Sequence, residues 1–437
     1  FVAYYYEDET MDLLGDLGTA DQLTSARAEN AVLQEKVKTL SFRVKELTME
    51  NESLKAEVEM YRKDAGVSDR NQGSTQDTTN TNNETIVCDD FLRSGNGQYP
   101  QVTDISLPNL HGNANPLCCS LSPDDTILAT GGADGMLVLT AWGAACDASK
   151  IASVVENACR VRCDGPVIAV AFSPTQKLVA AGCMDGSVTL VAYEMVTGQG
   201  LVVQASTKIS KKHGKYVKTV AWNSNNLLAT ASADGTVQVH TVSVKVDYTS
   251  GYEPHSIDLK TIETLHLQGA VESMTFLSDG SELCCYARGK PYLTCFDTAN
   301  DYETRKLNLN AGGKPPAPGT TLEDQHVSFA VLDMAVSPNG KYLACATDAS
   351  RNIIVEVATG LQVRNLYGHQ NDGFSNPKLA WSHNGQYILG NTQEDGGVCV
   401  WDIASTTIVK RMVEHGQTVR DMFASASSDT LVTTSFD

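Results

Sequence analysis

The side chains most able to do chemistry here are nine histidines and 12 cysteines. A metal centre needs several such ligands at short, fixed spacing. The cysteines (88, 118, 119, 146, 159, 163, 183, 284, 285, 295, 345 and 399) contain no CxxC pair. Several lie inside strand-like apolar runs, such as Cys118 and Cys119 in NPLCCSLS, where a free thiol behaves as a small hydrophobe. A disulfide framework is not expected in so long a chain, so we expect a reducing, cytoplasmic location, in which the sequons at Asn51 and Asn83 carry little weight. The histidines are dispersed. His213, His369 and His415 each sit in a loop just before an apolar run, a placement that suits a structural role. There is no GxxxxGK[ST], no HExxH, no GxSxG and no GxGxxG after a strand. Gly312 and Gly313 fall in a Pro-rich loop rather than at a helix start, and the loop 311–325 suits disordered decoration or docking. We therefore expect no catalytic residues, no cofactor and no metal: this is not an enzyme.

Lys208, Lys211, Lys212, Lys215 and Lys218 form the densest positive run. A solvated loop explains it. The functional alternative is contact with an acidic partner or a phosphoinositide headgroup. The formal net charge of −19 argues against general nucleic-acid affinity, which needs positive charge. No run approaches the roughly 20 apolar residues of a membrane-spanning helix, so membrane contact is expected to be peripheral at most. The chain begins at Phe1 rather than Met, and residues 1–22 look like the acidic end of an element that starts upstream.

Residues 23–64 carry a heptad. Its a positions include Asn30, Val37, Val44, Asn51 and Val58, and its d positions include Leu33, Leu40, Leu47 and Leu54. This period of about 3.5 residues specifies a coiled coil, and Val at a with Leu at d favours a parallel pair. The facing Asn residues fix register, and Glu50 with Lys55 and Glu57 with Arg62 attract across a parallel pair. The seam expected to bind a second chain is Leu33, Val37, Leu40, Val44, Leu47, Asn51 and Leu54. Neutral e positions at Gln34, Ser41 and Thr48 leave a homodimer favoured and a heterodimer open. A single amphipathic helix lying on another domain is the bland alternative. The acidic segment before the zipper excludes a basic DNA-binding region. Residues 65–100, rich in Asn, Thr, Ser and Gly, are expected to be a disordered linker.

From 101 to 437 a unit of about 40–50 residues repeats. Each unit has an apolar strand, a turn such as SPDD or SPNG, a small-residue strand ending in Asp, and two further strands. Asp134–Gly135, Asp185–Gly186 and Asp234–Gly235 suit tight hairpin turns. First strands are expected near 116–121, 166–172, 217–222, 271–276, 330–336, 376–381 and 418–423. With SPTQ, SHNG, GGADG, GCMDG, ASADG, Gly368–His369 and Trp401–Asp402, this stretch resembles the WD40 family. The resemblance implies an all-β fold: a seven-bladed propeller behind a coiled-coil helix and a linker. It also implies a protein-interaction scaffold, dimerised by residues 23–64. The alternatives are a phosphoinositide-binding propeller of endosomal or autophagic traffic and, more remotely, a propeller enzyme. Residues 101–107 are placed to complete the last blade, whose third strand is missing after Asp437.

Overall fold

The computed structural model describes residues 89–91, 93–101, 105–142, 151–209, 212–246, 255–277, 280–310, 322, 325–371 and 376–437. The coiled-coil seam, the acidic segment 1–22 and most of the expected linker lie outside these residues. So do Lys211, Cys88, Cys146 and nearly all of the 311–325 loop.

The repeat folds into antiparallel sheets in which consecutive strands pair in chain order. Six sheets have four strands, and the last, Val419–Ala424 with Leu431–Ser435, has two. The first strands are Pro116–Leu121, Val167–Phe172, Val217–Trp222, Val271–Phe276, Val331–Val336, Leu379–Trp381 and Val419–Ala424. Each first strand packs against those of the preceding and following sheets, and the seventh packs against the first. The sheets are therefore seven blades around a ring. Helix is nearly absent: apart from a 3-10 turn at Asp89–Phe91, the described residues hold only Ile151–Glu156.

Local chemistry explains the repeat. In SPDD, SPNG and SHNG the serine hydroxyl oxygen accepts the N–H that opens the second strand: Ser122 from Ile127 at 2.9 Å, Ser337 from Tyr342 at 3.0 Å and Ser382 from Tyr387 at 3.0 Å. In the Asp–Gly turns the carboxylate accepts an N–H two residues on, as Asp134 from Met136, Asp185 from Ser187 and Asp234 from Thr236. Gly186 has φ +87°, and a Cβ there would lie 2.4 Å from the carbonyl oxygen of His213. Gly186→Ala should therefore cost about 2 kcal/mol, read as a lowered thermal midpoint.

The second strands are wholly buried in blades one, two, five and six, and their small residues let neighbouring blades approach. Of the ten described cysteines none forms a disulfide, and nine are buried in strands or beside them, as expected of small hydrophobes.

Two expectations need correction. The expected linker does not run to residue 100. Phe91 is 7% exposed and packs with Tyr342 and Trp401, and residues 95–99 are bonded to blade six. A polar composition resembled linker, but side chains of the blades satisfy these backbone N–H groups. Nor do Ile105–Leu107 form a strand beside the last blade. Instead Leu107 packs among Cys119, Leu121 and Leu128 of blade one, with Phe423 and Val432 of blade seven. Side chains close the ring at that seam. Asp421 accepts the N–H of Cys119 at 2.9 Å, and the Asp125 carboxylate accepts hydroxyls from Ser425, Ser427 and Ser428 at 2.6, 2.5 and 3.2 Å.

Candidate functional site

The strand order gives the ring two unlike faces. The upper face carries the Asp–Gly turns and the connectors from one blade to the next. The lower face carries the Ser-type turns and the turns between third and fourth strands. On the upper face the first three connectors lean on the turn of the blade before them: Cys163 N–H donates to Gly135, His213 N–H to Gly186 and Leu267 N–H to Gly235.

Histidines pin these connectors. His213 meets Thr230 Oγ1 through Nε2 at 2.8 Å and Thr236 Oγ1 through Nδ1 at 2.9 Å. His415 meets Thr433 at 2.8 Å and Asp437 at 2.9 Å. Two of the three expected structural histidines thus do the same job. His111 does it in blade one, reaching Thr130 at 3.0 Å and Asp134 at 3.1 Å. The sequence reading overlooked His111, although the His–Gly dipeptide of residues 213 and 415 recurs there. Burial lowers its pKa and the Asp134 carboxylate offsets only part of that. His369 differs. Its ring meets Trp401 edge-on at 5.0 Å and finds no hydrogen-bond partner, because Gly390 makes room for the indole: a Cβ there would lie 3.1 Å from it. Burial drives the His369 pKa down to about 4. The blade with the literal Trp–Asp pair has exchanged the histidine's hydrogen bonds for aromatic packing.

The basic run lies on the upper face between blades two and three, but it is not a free positive patch. Lys208 is paired with Asp164, Lys212 Nζ is 2.7 Å from Asp185, and Lys218 Nζ is 3.3 Å from Glu272. Beside Lys215 stand Met184 and Tyr216, 57% and 36% exposed. Both are large apolar side chains exposed on residues next to the basic run. No motif announces this exposure, since Met184 reads as a strand residue.

Inside the ring a channel of about 460 Å³ is lined by first-strand residues of all seven blades. It is polarised. On one side Glu272 is shared by Lys218 and by Arg288, whose Nε donates to it at 2.5 Å. On the other, Lys378 lies 3.2 Å from Asp421 and 3.7 Å from Asp333. Burial lowers the Lys218 pKa despite Glu272, whereas Asp333 and Asp421 raise that of Lys378 despite burial. Burial raises the Asp333 carboxyl. These are mutually compensated charges that tie blades together. Among the described residues no group of His, Cys, Asp and Glu is placed to hold a metal ion, and no helix is long and apolar enough to cross a membrane.

Comparison with protein families finds the WD40 model, described as WD domain, G-beta repeat, matching residues 105–139, 158–190, 205–241, 318–355 and 360–402, which fall on blades one, two, three, five and six.

Proposed function

We propose that this WD40-repeat propeller is a non-catalytic scaffold that pairs through residues 23–64 and offers its upper rim to partner proteins. WD40 repeats act in general as protein-interaction modules. The observation that carries the reading is the rim itself, where Met184 and Tyr216 are exposed on the same stretch as Lys212 and Lys215. Exposed apolar side chains among charged ones are the composition that a docking surface uses. Pairing two propellers would raise effective concentration for a bivalent partner. The partners are other proteins in the cytoplasm.

The phosphoinositide reading draws less support. Three of the five lysines already hold carboxylates, so a headgroup would have to compete with them. Affinity purification of the full chain tests the proposal, alongside a Met184→Ala, Tyr216→Ala double variant and a chain lacking 23–61. Shared partners should fall several-fold on the double variant, and bivalent ones on the deletion. Partners indifferent to both changes would refute the reading. Sedimentation with phosphoinositide vesicles at the same protein concentration distinguishes the lipid alternative.

A further inference from the structure

The lower face of blades five and six already holds a peptide, and that peptide is part of this chain. Residues 90–91 and 93–99 cross it as a strap. Asp90 is 3.0 Å from Lys341 Nζ and accepts the Tyr342 hydroxyl at 2.8 Å. Phe91 lies 4.7 Å from the Tyr342 ring, with the Arg364 guanidinium 5.5 Å from its centroid and within 3.5 Å of its carbonyl oxygen. Farther on, blade six reads the strap's main chain with side chains. Asp402 accepts the Gly95 N–H at 2.7 Å, Gln386 the Asn96 N–H at 3.1 Å and the Tyr387 hydroxyl oxygen the Gly97 N–H at 2.6 Å. Asn384 donates to the Gln98 carbonyl at 3.1 Å. Tyr99 closes the run edge-on to Tyr387 at 4.7 Å.

This is the contact pattern of peptide recognition: a charge-and-hydroxyl clamp for a carboxylate, a slot for an aromatic ring, and side chains placed to read successive N–H groups. The strap adds no strand to either sheet. Its hold is therefore a set of side-chain contacts that can be released without opening a blade. The glycines set the length of the motif. A Cβ at Gly95 would fall 2.3 Å from the Tyr387 ring, and Gly97 has φ +85°.

We propose that this groove is a docking site for an extended peptide with an acidic residue directly before an aromatic one and glycines four and six residues later, held shut in cis by residues 90–99. A partner segment of that chemistry displaces the strap. The strap's own sequence is the natural probe, because any trans ligand must satisfy the same contacts.

A fluorescently labelled peptide of residues 89–101 is titrated by anisotropy into the full-length protein, into the Phe91→Ala chain, and into that chain carrying Lys341→Glu as well. The wild-type groove is occupied at the high effective concentration of a tethered segment, so it should bind weakly. The Phe91→Ala chain should bind at least tenfold more tightly. That gain should be lost when Lys341→Glu is added, and also when the peptide itself carries Phe91→Ala. If the Phe91→Ala chain binds no better than wild type, or the peptide's Phe is immaterial, the proposal is wrong. If Phe91→Ala abolishes the cooperative thermal transition, Asp90→Ala replaces it under the same expectations, since Asp90 lies at the groove's exposed rim.

Discussion

Lys378→Met will lower the stability of the propeller by about 3 kcal/mol, a fall of roughly 4 °C in midpoint for a domain of this size. In the wild type one ammonium compensates two carboxylates from the neighbouring blades, Asp333 and Asp421. Each carboxylate also accepts a backbone N–H, from Leu379 at 3.1 Å and from Cys119 at 2.9 Å, so neither can swing away without losing a second bond. Methionine fills the space of the lysine stem but leaves two like charges facing each other. Removing one partner of a buried ion pair costs about 3–5 kcal/mol, and channel water puts this case at the lower end. The pH dependence identifies the cause. Burial already raises the Asp333 carboxyl, and without the lysine that opposes this its folded pKa stands above its unfolded one, so the folded chain binds a proton more tightly there. Stability is then lost as pH rises through the folded value and regained as pH falls. Melting at pH 7.5 and pH 5.5 should show the variant's deficit shrinking on acidification. An equal deficit at both pH values would mean that lost packing, not charge, is responsible.

The double change Leu40→Pro, Leu47→Pro will convert a dimer to a monomer while the propeller's thermal transition survives. Both leucines occupy the d layer of the expected seam, and each proline costs the helix about 3 kcal/mol or more by removing a hydrogen bond and clashing with the preceding turn. Three separate features support a parallel pair: the unbroken a/d seam, the register-fixing Asn30 and Asn51, and the attraction of Glu50 for Lys55 and of Glu57 for Arg62. Light scattering should report half the mass for the variant. A wild-type chain that is already monomeric at micromolar concentration would remove the dimer from the proposed function.

The blades were legible because their signals are local. The Ser turn, the Asp–Gly turn and the small-residue strand lie within one repeat, and the seven expected first strands fall within a few residues of those observed. Even blade four could be placed by its spacing, although Arg288–Gly289 stands where others have Asp–Gly. In the fold Arg288 is held by Glu272. What stayed hidden depends on ring closure. Nothing near Lys378 in the sequence announces Asp333 or Asp421, because each belongs to another blade and meets the lysine only across the channel wall. For the same reason the pairing of the basic run, read as a solvated loop, was hidden: its acids, Asp164, Asp185 and Glu272, come from outside it. The strap was missed because Ser, Asn and Gly look alike in a loose linker and in a segment whose N–H groups are held by side chains.

The seam between blades seven and one also sets a timetable. Asp421 lies 302 residues after the Cys119 N–H it accepts, and Ser427 lies 302 residues after Asp125. At a synthesis rate of about 5–20 residues per second, blade one must wait roughly 15–60 s on the ribosome for its closing partner. Through that interval the face formed by Cys119, Leu121 and Leu128, which blade seven will cover, remains apolar and uncovered. The nascent ring is thus most vulnerable to aggregation at its first blade, and a chaperone that acts on this chain during translation should be found holding residues 116–132.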